Sequence, residues 1–493
     1  MASGAIWMVL ALLVQRLLGL VSTLILARVL VPHDFGIVAM AMTFVALLEM
    51  IGAFGFDVAL IQKQTTDRRY WDTVWTLEII VGVVVAGLMT AGAPLVAAFF
   101  KEPALVSVLG VLAIGSVAQG FQNIGLVAFR TEMRFDREFR FLTAKKVIAF
   151  GVTVPLALIL DSYWALVIGQ TVSRIAGTAL SYWVHPYRPR PSLAAWRDLF
   201  HFSKWMLAIA VVSYLKERSS DWIIGRAAGP AALGAFNVSY EVASLPSSEL
   251  MAPINRAVFP AYAQLAKESL EALRREYLSV IAMIVLIATP AILGIAATAS
   301  LLVPVMLGPN WSQAVPVLML LGFFGFTNAI QGNAQAAYLA LGRADIPAKL
   351  LALHVAVQLC AVVPLTYKYG VVGAAAAYLV TAAVMIPMSL GVVLRMLRIS
   401  IGAFIAKVWR PTAAATVMYF AVHEYVRYSA EAAHVAEVVQ LLVAVGLGAV
   451  CYLSVVWLLW VACGRPPGAE QAALERASGM AARFLSRKPA LTP

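Results

Sequence analysis

Charged residues stand inside long apolar segments of this chain. At the centre of a bilayer a charged side chain costs roughly 2.5 to 3.5 kcal/mol, so such residues face a cavity, pair together or are functional. Five are basic and are predicted to bind an anionic substrate in a cavity: Arg16, Lys216, Arg218, Arg174 and Arg256. Five are acidic and are predicted to line that cavity or to bind a coupling ion: Asp57, Glu49, Asp221, Glu217 and Glu241. Glu78 lies in a similar segment and is assigned no role.

The densest group of charges lies between Lys216 and Asp221. Arg218 and Asp221 are spaced i,i+3 and can form an ion pair, whereas Glu217 and Asp221 at i,i+4 repel unless a cation intervenes. Lysine and arginine bind phosphate oxygens through charge-assisted hydrogen bonds. The predicted ligand of the basic residues is therefore an anionic headgroup such as a pyrophosphate.

Each of these assignments has a structural alternative. Arg16 and Lys216 could form salt bridges between helices instead of lining a cavity. Side chains near helix ends can extend to lipid headgroups, which is the favoured alternative for Arg174 and Arg256. The two acids proposed to bind H⁺ or Na⁺, Asp57 and Glu49, could equally pair with cations at helix ends.

The composition places these residues in a membrane protein. Hydrophobic residues make up 62% of the 493 residues, charged residues 13%, and the mean hydropathy is +0.85. The three cysteines lack metal-ligand spacing, and the basic residues punctuate apolar runs instead of forming a nucleic-acid-binding face, so we expect no disulfide, metal site or nucleic-acid partner. Windows of about 19 residues predict fourteen spans: 5–27, 35–60, 74–98, 104–128, 142–160, 163–183, 202–225, 233–260, 277–300, 313–340, 350–367, 371–394, 403–422 and 436–462. The first is expected to be a retained span, not a cleaved leader.

The connections between predicted spans alternate in charge. One set, with the C-terminal tail, holds 27 of the 37 Lys and Arg residues, and the opposite set holds five. By the positive-inside rule both termini are predicted to be cytoplasmic. Loops on the opposite side are very short, which argues against a membrane polymerase or ligase that holds its acceptor in a large external loop.

An internal repeat predicts two lobes. The pattern Ile25-Leu26-Ala27-Arg28-x3-Pro32-x3-Gly36 recurs 198 residues later as Ile223-Ile224-Gly225-Arg226-x3-Pro230-x3-Gly234. Six spans separate the copies, so the halves are parallel repeats, an architecture that works by alternating access. The predicted domains are 1–190 for the first six-helix lobe, 191–400 for the second, 401–463 for two further helices and 464–493 for a basic amphipathic tail. The offset brings Arg16 and Lys216 to similar depths.

Two cytoplasmic segments have amphipathic patterns. In 129–146 and in the tail, apolar and basic residues fall on different helix faces. Such helices lie on anionic lipid headgroups, which is the favoured interpretation, with partner binding as the alternative.

Several stretches resemble the polysaccharide transporter family of Wzx-type flippases, within the multidrug/oligosaccharidyl-lipid/polysaccharide exporter superfamily. The similar segments are Leu26-Ala27-Arg28-Val29-Leu30-Val31-Pro32-His33-Asp34-Phe35-Gly36, Ala59-Leu60-Ile61-Gln62, Phe129-Arg130-x3-Arg134-Phe135, Asp221-Trp222-Ile223-Ile224-Gly225-Arg226 and Leu307-Gly308-x2-Trp311. The resemblance covers roughly residues 1–400, and the colanic-acid and teichuronic-acid exporter branch is the most similar.

The resemblance implies that the chain is not an enzyme and flips undecaprenyl-diphosphate-linked oligosaccharides across the bacterial inner membrane. It also implies coupling to an ion gradient, H⁺ or Na⁺, without a cofactor. A polysaccharide polymerase or co-polymerase is an expected partner beside membrane lipids. Three alternatives remain open: a multidrug exporter of the same superfamily, a major-facilitator transporter, and a membrane polysaccharide polymerase or ligase.

Overall fold

The structure is a computed structural model that describes residues 2–52, 55–63, 67–429, 436–466, 468–471 and 475. Within these ranges the side chains of 2–13, 51–52, 200–206, 208–209, 248–250, 252–253, 256–257, 326 and 328–329 are not described. Every regular element of the described part is helical. Most of the predicted tail, including Arg476, Arg483 and Arg487, lies outside the described residues.

The main α-helices follow one another with short connections. They are α1 (Ala2–Val29), α2 (Pro32–Gly52), α3 (Phe56–Lys63), α4 (Arg68–Phe100), α5 (Ala104–Gly120), α6 (Val127–Thr131), α7 (Phe135–Leu160), α8 (Trp164–Val184), α9 (Trp196–Leu245), α10 (Ala252–Glu268), α11 (Leu270–Met306), α12 (Ala314–Ala340), α13 (Asp345–Met396), α14 (Ile401–Ser429) and α15 (Glu437–Ala462).

The predicted all-α membrane fold is confirmed. Among the described residues, seven helices are long and apolar enough to cross a bilayer, or eight if the pair Ala104–Gly120 and Ile124–Thr131, bent by 64°, forms one span. The longest two helices, α9 and α13, are broken at Gly229 and Gly370. Helix α13 covers two predicted spans, and α9 covers one and the first half of the next. Both glycines have positive φ, 86° and 61°, which a residue without Cβ adopts at little cost. The number fourteen stays a prediction.

The predicted amphipathic linker 129–146 is not one surface helix. It is divided at Met133, which has φ of 55°, between the end of α6 and the start of α7. From Phe135 the chain is continuously helical to Leu160, so the predicted span at 142–160 begins two turns earlier. Arg130 forms ion pairs with Asp57 of α3 and Glu138 of α7, although its own side chain is about half exposed.

The predicted span at 233–260 is not one regular α-helix. The segment Pro246–Met251 is π-helical, and α10 follows it directly. Pro246 lacks the backbone N–H that an α-helix needs at that position, which favours a local change in the hydrogen-bond pattern.

The chain forms two compact units. The first contains Met1–Asn237, Met306–Trp311 and Thr366–Val371, and the second contains the remaining residues. In the second unit one apolar core is centred on Tyr277 and Tyr338, and another joins α14 to α15. The predicted lobe boundaries at residues 190 and 400 stay predictions.

The two copies of the sequence repeat pack directly on each other in the first unit. A Cβ atom on Gly36 would overlap the Pro230 carbonyl oxygen, and one on Gly234 would overlap the Pro32 carbonyl oxygen. The glycine of each copy thus contacts the proline of the other copy, a reciprocal pattern like that of a two-fold interface. Beside this glycine crossing, the buried Trp311 donates from Nε1 to the Ala27 carbonyl oxygen at 2.7 Å, which satisfies one of the last carbonyls of α1.

Candidate functional site

A polar cavity lies within the first unit, among α2, α3, α4, α5 and α8. Its volume is about 340 Å³, and its charged lining residues are Glu49, Asp57, Glu78 and Arg174. An adjoining cavity of about 280 Å³ shares Asp57 and Glu78 with the first. Its other charged residues are Arg130 from α6 and Glu138 and Lys145 from α7.

Small residues bring α4 and α5 together at the wall of this cavity. A Cβ atom on Gly82 would lie 3.0 Å from the Ser116 carbonyl oxygen, and one on Gly120 would lie 2.8 Å from the Glu78 carbonyl oxygen. The two backbones can approach this closely because neither glycine carries a side chain. The close approach fixes Glu78 and Ser116 on opposite helices of one cavity.

Arg174 is the most buried charge of the cavity, with 8% of its surface exposed. It donates from Nη1 to Glu49 Oε1 at 2.5 Å and to Ser116 Oγ at 3.2 Å. The favoured alternative of a side chain extended to lipid headgroups is therefore wrong for Arg174. An arginine in the middle of α8 is retained because its charge is paired and hydrogen-bonded.

A second ion-paired group stands at the α6 side of the cavity. Arg130 donates from Nε to Glu138 Oε1 at 2.7 Å, and its Nη1 lies 3.8 Å from Asp57 Oδ2. Both acids proposed from sequence to bind a coupling ion are thus paired with arginines, Glu49 with Arg174 and Asp57 with Arg130.

The charges of α9 divide into a buried and an exposed part. Asp221 is 3% exposed and accepts hydrogen bonds from Arg218 Nη1 and from Thr43 Oγ1 of α2, both at 3.2 Å. Tyr214 extends this network by donating to the Thr43 carbonyl oxygen at 3.1 Å. The Arg218–Asp221 pair has the i,i+3 spacing expected from the sequence. The side chains of Lys216 and Glu217 are exposed.

Arg16 and Lys216 are both exposed, and both lie deep in apolar helices. Arg16 precedes the end of α1 at Val29 by thirteen residues, and Lys216 precedes the break at Gly229 by the same number. At 1.5 Å per residue, Arg16 lies roughly 20 Å from the end of α1 and Lys216 roughly 20 Å from the break in α9. Their similar depth in the bilayer stays a prediction.

The remaining predicted residues are not part of these clusters. Glu241 lies in the second unit with an exposed side chain. The side chain of Arg256, in α10, lies outside the described residues. Glu78, Glu138 and Lys145 line the cavity but were not assigned to it from sequence. Glu78 is an acid within an apolar run, the same pattern by which the other acids were predicted. Glu138 and Lys145 do not stand out in the sequence because the linker around them contains many charges.

An extended segment after α8 forms a basic surface next to this region. Asp72, 7% exposed, accepts from the Tyr187 hydroxyl and the Arg190 backbone N–H, both at 2.8 Å, and so fixes the segment on α4. The Tyr187 backbone N–H donates to His185 Nδ1 at 3.1 Å. Burial is the main factor that lowers the pKa of His185, which favours the neutral ring that can accept this bond.

Comparison with known proteins gives a family match over residues 25–316, to the family described as "Polysaccharide biosynthesis protein". This is more than half of the chain. The chain belongs to this family. The family predicted from sequence resemblance is confirmed.

Curated relatives of this polysaccharide biosynthesis protein family extend the match to nearly the whole chain. The lipopolysaccharide biosynthesis protein WzxC of Escherichia coli (strain K12) is 26% identical over 351 residues, 70% of this chain and 71% of WzxC. The teichuronic acid biosynthesis protein TuaB of Bacillus subtilis (strain 168) is 24% identical over 474 residues, 92% of this chain and 94% of TuaB.

Solved structures share the fold. The lipid II flippase MurJ, in an inward closed conformation, matches 92% of this chain and 99% of its own with a TM-score of 0.74 and 12% identity. An inward-facing multidrug resistance MATE transporter of the MOP superfamily matches 78% of this chain and 95% of its own, with a TM-score of 0.56 and 16% identity. The predicted exporter fold is therefore confirmed.

Proposed function

We propose that this protein flips undecaprenyl-diphosphate-linked oligosaccharide units across the bacterial inner membrane by alternating access. The observation that carries the proposal is the fold match to a lipid II flippase over 92% of a chain that belongs to a polysaccharide biosynthesis family. Relatives are named as a transport protein and as biosynthesis proteins for lipopolysaccharide and teichuronic acid. The chain is accordingly a transporter and not an enzyme.

The exposed cations support an anionic substrate. Arg16 and Lys216 are exposed in the interior of apolar helices, where contact with lipid would cost roughly 2.5 to 3.5 kcal/mol each. Contact with a water-filled substrate path avoids that cost. Both side chains can then donate charge-assisted hydrogen bonds to diphosphate oxygens.

The proposal includes an orientation, an energy source and a partner. The excess of basic residues in alternate loops supports cytoplasmic termini in the inner membrane. An ion gradient of H⁺ or Na⁺ supplies the driving force, and the carboxylates of the polar cavity are where the ion binds. The flipped unit is passed to a polysaccharide polymerase or co-polymerase on the opposite side.

Lipid analysis of a deletion strain tests the flippase assignment. Without the flippase, we expect the complete repeat unit on undecaprenyl diphosphate to remain in the cytoplasmic leaflet. Glycosidases added to intact spheroplasts should then not reach it. Lipid-linked units that accumulate in the periplasmic leaflet would instead indicate a polymerase or ligase defect and overturn the proposal.

Substitutions test the proposed substrate contacts. We expect Arg16→Gln or Lys216→Gln to reduce export at least tenfold while the protein remains in the membrane, since each removes a diphosphate ligand. Arg140→Gln is the matched control, because Arg140 is also exposed but lies near the start of α7. Normal export by both the Arg16 and the Lys216 variant would remove these contacts from the proposal.

A further inference from the structure

Glu78 lies where the two cavities of the first unit meet, and it lines both of them. Among the described residues it has no hydrogen-bond or ion-pair partner, in contrast to the other carboxylates that line these cavities, Glu49, Asp57 and Glu138. An unpaired carboxylate inside a membrane protein is unfavourable as an anion unless a cation or a proton reaches it.

Six charged side chains line the two cavities together with Glu78. They are Glu49 of α2, Asp57 of α3, Arg130 of α6, Glu138 and Lys145 of α7, and Arg174 of α8. Both arginines are already paired with other acids. Asp57 shares both cavities with Glu78 and repels it when both are charged, so one added positive charge on Glu78 relieves that repulsion.

A second carboxylate of the adjoining cavity also has an oxygen without a partner. Glu138 is 8% exposed, and its Oε1 accepts from Arg130. Its Oε2 is buried, has no hydrogen-bond partner among the described residues, and belongs to a side chain that lines the cavity. A buried carboxylate oxygen is costly to leave unsatisfied, so a proton or a hydrogen-bond donor that reaches this oxygen stabilises Glu138.

We propose that Glu78 is the carboxylate that carries the coupling proton of this transporter. In the loaded form a proton from hydronium in the cavity adds to a Glu78 oxygen, giving a neutral carboxylic acid. In the unloaded form the same proton returns to cavity water, and no other bond changes. Glu78 shares the adjoining cavity with Arg130 and Glu138, two residues of the linker predicted to be cytoplasmic. In the proposed cycle a proton driven inward by the membrane gradient leaves toward this linker. The inference rests on the proposed ion-coupled flipping and names its residue.

Reconstitution of the full chain into liposomes tests this role. The probe is a short-chain polyprenyl diphosphate that carries one sugar and a fluorophore, and its leaflet distribution is measured by quenching from outside. A pH gradient is expected to shift this distribution for the wild type and for Glu132→Gln, an exposed glutamate of the same unit that lines neither cavity. Glu78→Gln is expected to equilibrate the probe but to lose the gradient response, and Glu78→Asp to recover it in part.

Infrared spectroscopy of the purified protein separates this inference from the flippase assignment. As the pH is lowered, the wild type and Glu132→Gln are expected to gain a protonated-carboxyl band that Glu78→Gln lacks. The inference is wrong if Glu78→Gln still shows this band. It is also wrong if a sodium gradient, without a pH gradient, shifts the probe in the wild type as a pH gradient is expected to do. If the wild type fails to move the probe at all, the flippase assignment fails, while the infrared band still decides whether Glu78 takes up a proton.

Discussion

The first unit contains two regions of opposite character, the glycine crossing of Gly36 and Gly234 and the polar cavity of α2 to α8. The crossing joins two copies of one sequence motif through backbone contact, Gly36 with Pro230 and Gly234 with Pro32. The cavity joins seven charged side chains from six helices that share no motif. The comparison teaches that the repeated motif forms a close-packed contact within the first unit, whereas the cavity charges lie at positions outside that motif.

The two regions also differ in how they resist change. A dry, close-packed contact has no room for added atoms, since interiors are packed as densely as organic crystals. A cavity has room, but the paired charges in it depend on their partners, because removal of one partner leaves a buried charge that is strongly unfavourable. Added volume should therefore damage the first region, and removed charge the second.

The largest effect is expected from volume added at the crossing. Gly36→Ala and Gly234→Ala place a Cβ on an opposing carbonyl oxygen, and we expect each to destabilise the fold by more than about 3 kcal/mol, beyond ordinary overpacking. Thermal unfolding in detergent and the yield of monodisperse protein measure this. Gly87→Ala is the control, since its Cβ meets open space and a helical alanine is favoured by about 1 kcal/mol. Equal outcomes at Gly36 and Gly87 would contradict the close contact.

A somewhat smaller effect is expected from charge removed in the cavity. Arg174→Met leaves Glu49 without its partner, and we expect a loss of roughly 3 kcal/mol, at the low end for broken buried pairs because the Glu49 side chain is 38% exposed. The double variant with Glu49→Gln should recover part of this loss, which a double-mutant cycle measures. Additive losses would mean that the pair does not act as a unit. Arg140→Met, at an exposed position, should be close to neutral.

Trp311 offers a finer probe of the crossing. Trp311→Phe removes the donor to the Ala27 carbonyl oxygen but keeps an aromatic ring against Phe35, whose centroid lies 5.2 Å away. We expect a loss of about 1 to 2 kcal/mol, the value of one hydrogen bond and the buried carbonyl left behind. Unfolding measurements should find Trp457→Phe, at an exposed position of α15, nearly unchanged. The same loss at both tryptophans would count against a specific role for the hydrogen bond.

The smallest effect concerns pH at the segment beside the cavity. Because the pKa of His185 is lowered in the folded protein, the unfolded chain binds more protons below the ordinary value of 6.5. Stability should therefore fall as the pH drops below 6.5, by at most about 1 kcal/mol for this partly exposed ring. His185→Asn keeps a hydrogen-bond acceptor without titrating in this range, so its unfolding temperature should vary less with pH. Identical pH profiles would exclude His185 as the cause.

Local patterns predicted some of the candidate site. The i,i+3 spacing of Arg218 and Asp221 is enough to predict their pair, because both residues lie on one helix. Glu49 and Arg174 are 125 residues apart, and no spacing rule connects them. The sequence analysis gave Glu49 and Arg174 separate roles and missed their ion pair. Which side chains of α2 and α8 face each other depends on how each helix is rotated about its axis, and packing sets that rotation. Glu78 was visible as an acid in an apolar run, but its lack of a partner became visible only with its neighbours in place.

The sequence by itself determined that this protein enters a membrane as helices, that a motif is repeated at an offset of 198 residues, and which family it belongs to. These properties depend on local hydropathy and on residue identity along the chain. Only the tertiary structure decided that the repeated motifs pack against each other, that Glu49 and Asp57 are paired with arginines, and that Glu78 is not. Contacts between distant helices depend on how each helix is rotated and how closely it approaches its neighbour, and a linear pattern contains neither quantity.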